Sequence, residues 1–367
     1  MSEFTLVVIS DLHLGAGLAA GSWGPGFTDD FADDQALCDF LRWLSTRREC
    51  RLVFLGDTFD FLRVPVSGAR TGLFARSDAE AVAQLDRIAA SHRTVVSALS
   101  AVIAAGLQVD FVAGNHDAEL IRPAVRERLC ELLNGQVRFH PWILYLPGLL
   151  YAEHGHHHHD INTFARPLHP YARNAGRLER PPAALLGDLR RLPSSPGCFW
   201  RDVLTGLCGR RSGRKRAEYL AGLAPAQADV TGLPAAVLAE LHHLASFSLF
   251  GVGRRLVAAR RRHGDRRGYL PVAAGAVHGL LAQSQLAVPF YAFGHTHAAM
   301  RLPLGTNAWY LNSGTWSTGT RGSASARRTW IEITAGADPA PVARLFHWTG
   351  SAEPLADRPA AGGGVPV

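Results

Sequence analysis

Five short motifs in this 367-residue chain place acidic, histidine and asparagine side chains directly after short apolar runs. Such runs are typical of buried β-strands, so the motifs are expected at strand ends. An isolated histidine or aspartate at a strand end is more often a turn or helix-capping residue. Five groups in succession instead favour a shared site. In chain order the motifs are Asp11-x-His13, Gly56-Asp57-x-x-Asp60, Gly114-Asn115-His116-Asp117, His154-Gly155-His156 and Gly294-His295-Thr296-His297.

These motifs supply a mixed set of carboxylate, imidazole and amide groups. Such a set suits Mn²⁺, Fe or Zn²⁺ rather than Ca²⁺. The chain has five cysteines and no close Cys-x-x-Cys pair, which argues against a cysteine-rich structural zinc site and for reduced thiols. The donor set therefore indicates a binding site for a divalent metal ion of this kind.

The elements that must position the motifs alternate between strand and helix in the first half of the chain. This alternation predicts an α/β layered domain, in which strand carboxyl ends converge on one rim. One helical stretch, Ser77–Ala105, can be read as a single helix or as two. The predicted strands are Leu6–Ile9, Leu52–Leu55, Val109–Val112 and Leu149–Ala152, and the predicted helices are Asp33–Arg47, Ser77–Ala105 and Arg122–Leu133.

The second half of the chain is expected to complete this domain. A strand at Phe290–Phe293 precedes the last motif, and three further strands, Ala308–Leu311, Thr329–Ile333 and Val342–Phe346, are predicted to form a closing β-meander. The expected domain spans residues 1–350. Residues 351–367 are rich in Pro, Gly and Ala and are predicted to be a flexible tail.

Residues 164–288 interrupt the strand series and are predicted to be a mostly helical insertion or cap. They carry 19 Lys and Arg against 7 Asp and Glu, whereas the rest of the chain carries 19 against 24. A basic amphipathic stretch lies within Pro234–Arg262. It could contact an anionic membrane surface or pack as a cap helix on the core, and we favour the cap. No run reaches the roughly 18 to 20 apolar residues of a spanning helix. We therefore expect a cytoplasmic protein with possible peripheral contact at the inner membrane face.

The ordered set D-x-H, G-D-x-x-D, G-N-H-D, H-G-H and G-H-T-H resembles the calcineurin-like metallophosphoesterase superfamily. The match extends from Ile9 to His297 and leaves out the insertion. The resemblance implies a four-layered α/β/β/α sandwich that binds two divalent metal ions. It also implies two metal sites with one bridging residue: Asp11, His13 and His297 bind one ion, Asn115, His154 and His295 bind the other, and Asp57 bridges both.

The resemblance further implies that His116 is the proton donor and that Asp60 orients it. We also predict substrate contacts at His156 and within the arginine run that contains Arg211 and Arg214, although such runs are usually solvated loops. The other histidines of the run, His157–His159, are expected to be solvated or capping residues.

The motif forms are nearest to the branch that includes bacterial UDP-diacylglucosamine hydrolases. This implies a small or lipid-linked phosphoester or pyrophosphate as the substrate and partner. A nuclease or cyclic-nucleotide phosphodiesterase of the same superfamily remains an alternative, with the basic insertion following a nucleic-acid backbone. A non-catalytic binding scaffold is the least favoured reading, because the inferred ligand set is complete.

Overall fold

The structure, a computed structural model, describes residues 4–16, 31–64, 77–159, 162–164, 178, 181, 230–244, 268–318, 327–336 and 340–355, with only the backbone of 242–244. The strands in these ranges are β1 Phe4–Ile9, β2 Cys50–Leu55, β3 Gln108–Val112, β4 Arg138–His140, β5 Ile143–Leu146, β6 Leu150–Glu153, β7 Phe290–Phe293, β8 Met300–Leu304, β9 Ala308–Asn312, β10 Thr329–Ala335, β11 Val342–Trp348 and β12 Ala352–Pro354. The α-helices are α1 Asp34–Ser45, α2 Asp78–Ser91, α3 Arg93–Ala104, α4 Pro123–Leu133, α5 Ala235–Leu244 and α6 Tyr269–Gln283.

The strands form two sheets. The first has the order β12-β11-β10-β1-β2-β3-β4, and the second has the order β5-β6-β7-β9-β8. In the first sheet β1, β2, β3 and β4 are parallel. In the second sheet β6, β7 and β9 are parallel. Each sheet therefore brings several strand carboxyl ends to one edge, where polar loops can meet.

The two sheets pack face to face with helices on their outer faces. Leu6 and Val8 of β1 belong to an apolar cluster shared with residues of the second sheet such as Phe290. Val7 and Ile9, which point the other way because strand side chains alternate, pack in the cluster that contains the helices. The predicted four-layered α/β/β/α sandwich is confirmed.

The predicted strands and helices of the first half are confirmed, with shifts of one or two residues at their ends. Ser77–Ala105 forms two helices, α2 and α3, that meet at His92. Nδ1 of His92 lies 2.8 Å from Oδ1 of Asp34 at the start of α1, so the break is held by a contact distant in sequence. Ser77 and Glu80 form a capping box that begins α2.

The predicted closing β-meander is wrong in part. Strand β9 joins the second sheet parallel to β7, whereas β10, β11 and β12 form an antiparallel meander in the first sheet. The alternation of apolar residues identifies strands, but it does not specify the sheet to which each belongs. The prediction of a tail from residue 351 is wrong at its start. Residues 352–354 form strand β12, which pairs with the end of β11.

Helix α6 lies inside the predicted insertion but packs on the core. Its buried residues Leu270, Ala274, Val277 and Leu281 belong to the same cluster as Tyr291 of β7. The core domain therefore resumes before the predicted boundary at residue 288. Helix α5 falls within the predicted helix Pro234–Arg262, and residues 245–262 lie outside the described residues. In the part of the chain that the structure describes, no helix has both the length and the apolar character needed to cross a membrane.

Candidate dinuclear metal site

The motif residues converge from both sheets. Each motif begins within a few residues of the carboxyl end of a strand, three in the first sheet and two in the second. The loops after β1 and β2 are joined by backbone hydrogen bonds from the nitrogens of Asp11 and His13 to the oxygens of Gly56 and Asp57, at 3.1 and 2.9 Å. Packing the sheets face to face places the loops after β6 and β7 against them.

The backbone of the site is held in an unusual conformation. Among the described residues, nine other than glycine have a positive φ, and five of these are predicted metal ligands. A non-glycine residue in this region costs about 1 to 3 kcal/mol and persists only where the surroundings impose it. The grouping of strained residues at the predicted ligands indicates that the fold tolerates a local loss of stability in order to orient these side chains. The five are Asp11, His13, Asp57, His295 and His297, with φ between 52° and 66°.

Glycine at position 114 permits the loops after β2 and β3 to approach closely. A Cβ on Gly114 would overlap Oδ1 of Asp57 and lie 2.5 Å from its backbone nitrogen. The same carboxylate oxygen accepts a hydrogen bond from the backbone nitrogen of His116 at 2.8 Å. Gly114 is therefore needed for the position of Asp57.

The first cluster consists of Asp11, His13 and His297. Nε2 of His297 lies 3.1 Å from Oδ1 of Asp11 and 3.3 Å from Nε2 of His13. All three ligand atoms lie within 4.8 Å of one another. These spacings suit three donors around one cation.

The second cluster consists of Asp57, His154 and His295, whose ligand atoms also lie within 4.8 Å of one another. Nε2 of His154 lies 3.1 Å from Oδ2 of Asp57. Nδ1 of His154 lies 2.9 Å from the backbone oxygen of Leu55, so Nδ1 can donate to it and leave Nε2 for a cation. The same Oδ2 of Asp57 lies 3.8 Å from Nε2 of His13, which brings Asp57 within reach of both clusters.

Asn115 provides a direct test of whether the site fits a cation. Its side chain is buried, and within the described part of the chain its Oδ1 has no hydrogen-bond partner. A buried amide oxygen without a partner is costly unless something else coordinates it. Asn115 lies between Gly114 and His116, both of which contact Asp57. An amide oxygen in this state is the kind of donor that a divalent cation coordinates, so the residues present fit a cation.

The charges of the site are balanced by its histidines. Burial alone would raise the pKa of Asp11, but His297 and His154 outweigh it and lower that pKa to about 2. Burial would lower the pKa of His154, yet Asp57 and Asp11 raise it to about 10. In the absence of a cation, the proton on His154 offsets part of the carboxylate charge. Cation binding at His154 must therefore release that proton.

His116 and Asp60 form the predicted pair beside the clusters. Nδ1 of His116 lies 2.9 Å from Oδ1 of Asp60, which is fully buried. The other carboxylate oxygen of Asp60 lies 3.2 Å from Nε of Arg63 and 3.5 Å from Nδ1 of His13. Burial would lower the pKa of His116, but the carboxylates of Asp60 and Asp57 raise it to about 9. With 24% of its side chain exposed, His116 is both protonated at neutral pH and accessible.

The predicted substrate contact at His156 is not supported by its position. The residue is 1% exposed, and its ring packs 5.1 Å from that of Trp142 and 5.6 Å from that of Phe164, between centroids. Burial, together with His157 and His154, holds its pKa well below the usual value, so the ring is neutral. A side chain enclosed in this way packs the loop between Trp142 and Phe164. Arg211 and Arg214 lie outside the described residues.

The expectation that His157–His159 are solvated or capping residues is wrong for His157 and His158, whereas His159 is partly exposed and is the C-cap residue of the short 3₁₀ helix His156–His158. His157 is 4% exposed and packs edge-on against Trp142 at 4.7 Å between ring centroids. Nε2 of His158 lies 2.6 Å from Oε1 of Glu153. Nδ1 of His159 lies 3.0 Å from Nε2 of His295. A run of identical residues has no period from which such separate environments could be inferred.

Asp117 has a positioning role that the sequence reasoning missed. Its carboxylate accepts hydrogen bonds from the backbone nitrogens of Gly114, Thr58 and Asp57, at 2.6, 2.7 and 3.2 Å. It thereby joins the loops after β2 and β3. The residue stands in the G-N-H-D motif, so its place in the motif was the available signal.

No protein-family model and no curated protein sequence matches this chain. Solved structures show a distant similarity of fold. A provisionally named 5′-nucleotidase from Staphylococcus aureus aligns at 10% identity and a TM-score of 0.34 over 96% of this chain, which spans about half (54%) of that protein. A dimetal phosphatase from Danio rerio aligns at 13% identity and a TM-score of 0.34, over 93% of this chain and 98% of that one. The calcineurin-like phosphoesterase YfkN from Bacillus subtilis aligns at 9% identity and a TM-score of 0.32, over 96% and 93%. These similarities are too distant to carry an argument about function.

Proposed function

We propose that this protein is a metal-dependent phosphoric ester hydrolase that uses two divalent cations, with Mn, Fe or Zn as the candidates. The observation that carries the proposal is the position of Asp57, whose ligand atoms lie within reach of both His13 and His154. A carboxylate shared by two groups of histidine and carboxylate ligands is suited to bridging two cations. The motif resemblance to calcineurin-like metallophosphoesterases supports the same conclusion.

The residues of the chain divide the work of hydrolysis. Two cations at this centre would supply Lewis-acid activation of a water molecule and would neutralise the charge of the phosphate. Protonated His116 bonds Asp60 through Nδ1, which leaves the proton on Nε2 for the leaving-group oxygen. Buried Asp60 holds the imidazole in orientation and favours its charged form.

The substrate class is a finer proposal. A small or lipid-linked phosphoester or pyrophosphate is favoured, with peripheral contact of the basic insertion at an anionic membrane surface. This rests on the motif form and on the excess of basic residues in 164–288, which would attract anionic groups. A nuclease or cyclic-nucleotide phosphodiesterase would use the same excess of charge, and a diester substrate series distinguishes the two.

The test is hydrolysis of p-nitrophenyl phosphate and bis(p-nitrophenyl) phosphate by chelator-treated protein, with and without added Mn²⁺. Wild-type protein should regain turnover with Mn²⁺, and Asp57→Asn should lose at least about 100-fold, because one carboxylate charge serves both cations. Asp39→Asn is the matched control, since Asp39 lies on α1 in an exposed ion pair with Arg42. A metal content near zero in active wild-type protein would refute the proposal, as would unchanged activity in Asp57→Asn.

A further inference from the structure

His159 and Asn162 form a small polar group on one side of the predicted ligand His295. Nε2 of His295 lies 3.0 Å from Nδ1 of His159 and 3.1 Å from Nδ2 of Asn162. Nδ2 of Asn162 also lies 2.7 Å from Nδ1 of His159. The three polar atoms thus form a closed triangle. Neither His159 nor Asn162 is part of the five motifs.

This polar group lies outside the second metal cluster. Among the described residues, the cluster of close ligand atoms contains Asp57, His154 and His295 but not His159. A histidine that binds a metal uses one ring nitrogen, and its other nitrogen commonly donates a hydrogen bond that fixes the ring. Because Nε2 of His295 faces His159, Nδ1 is the ring nitrogen left for a cation.

The hydrogen-bond donors and acceptors of the group are consistent with this orientation. When Nδ1 of His295 binds a cation, the ring proton must reside on Nε2, which then requires an acceptor. Nδ2 of Asn162 can only donate, so it can bond Nδ1 of His159 when that nitrogen is unprotonated, and it makes no hydrogen bond to Nε2 of His295 when that atom carries the proton. Nδ1 of His159 can therefore accept a hydrogen bond from the protonated Nε2 of His295.

His159 is itself held in place by the core. Its ring stacks on that of Tyr269, with centroids 5.4 Å apart and planes 29° from parallel. Tyr269 is the first residue of α6, the next residue of which, Leu270, is buried against the core. The position of His295 is thus coupled through His159 to a helix of the outer layer.

We propose that His159, supported by Asn162 and Tyr269, is a positioning residue that fixes the tautomer and orientation of His295 for cation binding. The proposal rests on the metal centre of the proposed function. Its effect should be largest at the second cation, because the predicted ligand that the group contacts, His295, belongs to the second cluster.

The experiment measures Mn²⁺ dissociation constants of metal-stripped full-length protein by calorimetry, together with bound metal after dialysis. His159→Leu should weaken one of two Mn²⁺ equivalents by about 10- to 100-fold and leave the other unchanged. His159→Asn retains an acceptor near the original Nδ1 and should restore most of the affinity. His158→Gln is the control, because His158 bonds Glu153 rather than His295.

Three results would overturn the inference. Unchanged affinity at both sites in a folded His159→Leu protein would show that His295 needs no such support. Equal weakening of both sites, with no rescue by His159→Asn, would show a general structural defect. Wild-type protein that binds no cation would refute the metal centre itself and this inference with it. Tight wild-type binding combined with unaffected variants would refute this inference alone.

Discussion

At the scale of single residues, His116 has the surroundings that proton donation requires. It is hydrogen-bonded through Nδ1 to a buried carboxylate, its pKa is raised to about 9, and part of the ring is exposed. The same region contains Arg63, which forms an ion pair with the other oxygen of the Asp60 carboxylate at 3.2 Å. The dyad therefore works as a charged network rather than as an isolated pair.

Replacing His116 should show a strong dependence on the leaving group. In His116→Gln the hydrolysis of phenyl phosphate should fall by about 10²- to 10⁴-fold, because its leaving oxygen is basic and needs a proton. p-Nitrophenyl phosphate, with a weakly basic leaving group, should lose much less. The comparison of kcat for the two esters measures this difference. An equal loss on both esters would assign His116 a role in binding or structure.

At the scale of elements, the loops after β2 and β3 depend on a close backbone approach that only glycine permits. Gly114→Ala should destabilise the fold by about 1 to 3 kcal/mol, because the new Cβ meets Asp57 and its backbone. It should also weaken metal binding. Urea unfolding and metal content measure the two effects.

Gly275→Ala is the matched control for this change. Gly275 lies within α6, and a Cβ there meets nothing within 4 Å. Alanine at this position should stabilise the protein by roughly 0.5 to 1 kcal/mol through helix propensity. A Gly114→Ala protein as stable as wild type and fully loaded with metal would contradict the close-approach argument.

A second element-scale feature is the carboxylate of Asp110 on β3, which ties together three neighbouring strands. It is fully buried and bonds Arg51 of β2 through Nε and Nη2, at 2.6 and 2.7 Å, and Nε2 of His140 of β4 at 2.8 Å. Burial would raise its pKa, but His140 and Arg51 hold it below the usual value. The carboxylate therefore stabilises the fold above its ordinary pKa, and this contribution is lost as the pH falls through the lowered one.

Asp110→Ala should lower the free energy of unfolding by about 3 kcal/mol near pH 7, because it leaves Arg51 without its buried partner. The difference in the free energy of unfolding between this variant and wild type should become smaller in acid, where the wild-type carboxylate is protonated. Urea denaturation at several pH values measures this. Asp39→Ala, which removes an exposed ion pair, should change little. If the difference in the free energy of unfolding did not change with pH, the destabilisation would come from lost packing rather than from the lost charge.

At the scale of the whole molecule, the site joins the two sheets, so bound cations should stabilise the entire fold. The predicted ligands in the loops after β1, β2 and β3 face those in the loops after β6 and β7. Anything that binds only the folded state raises its stability. Free Mn²⁺ at 100 times its dissociation constant should add about 2.7 kcal/mol for each site. Unfolding midpoints with Mn²⁺ and with chelator measure this, and Asp57→Asn should abolish most of the difference. A midpoint that chelator leaves unchanged in wild type would contradict it.

The sequence by itself determined most of the strands and helices, the layered α/β class and the set of residues that could meet at the site. These follow from local apolar periodicity and from motifs in which chemistry-bearing residues stand next to strand ends. The tertiary structure alone decided that β9 joins the second sheet, that α6 belongs to the core, that His156 is enclosed by aromatic rings and that His159 faces His295. Each of these depends on which surfaces distant segments bury against one another. Local patterns constrain the conformation of a segment, but they do not specify which distant segment packs against it.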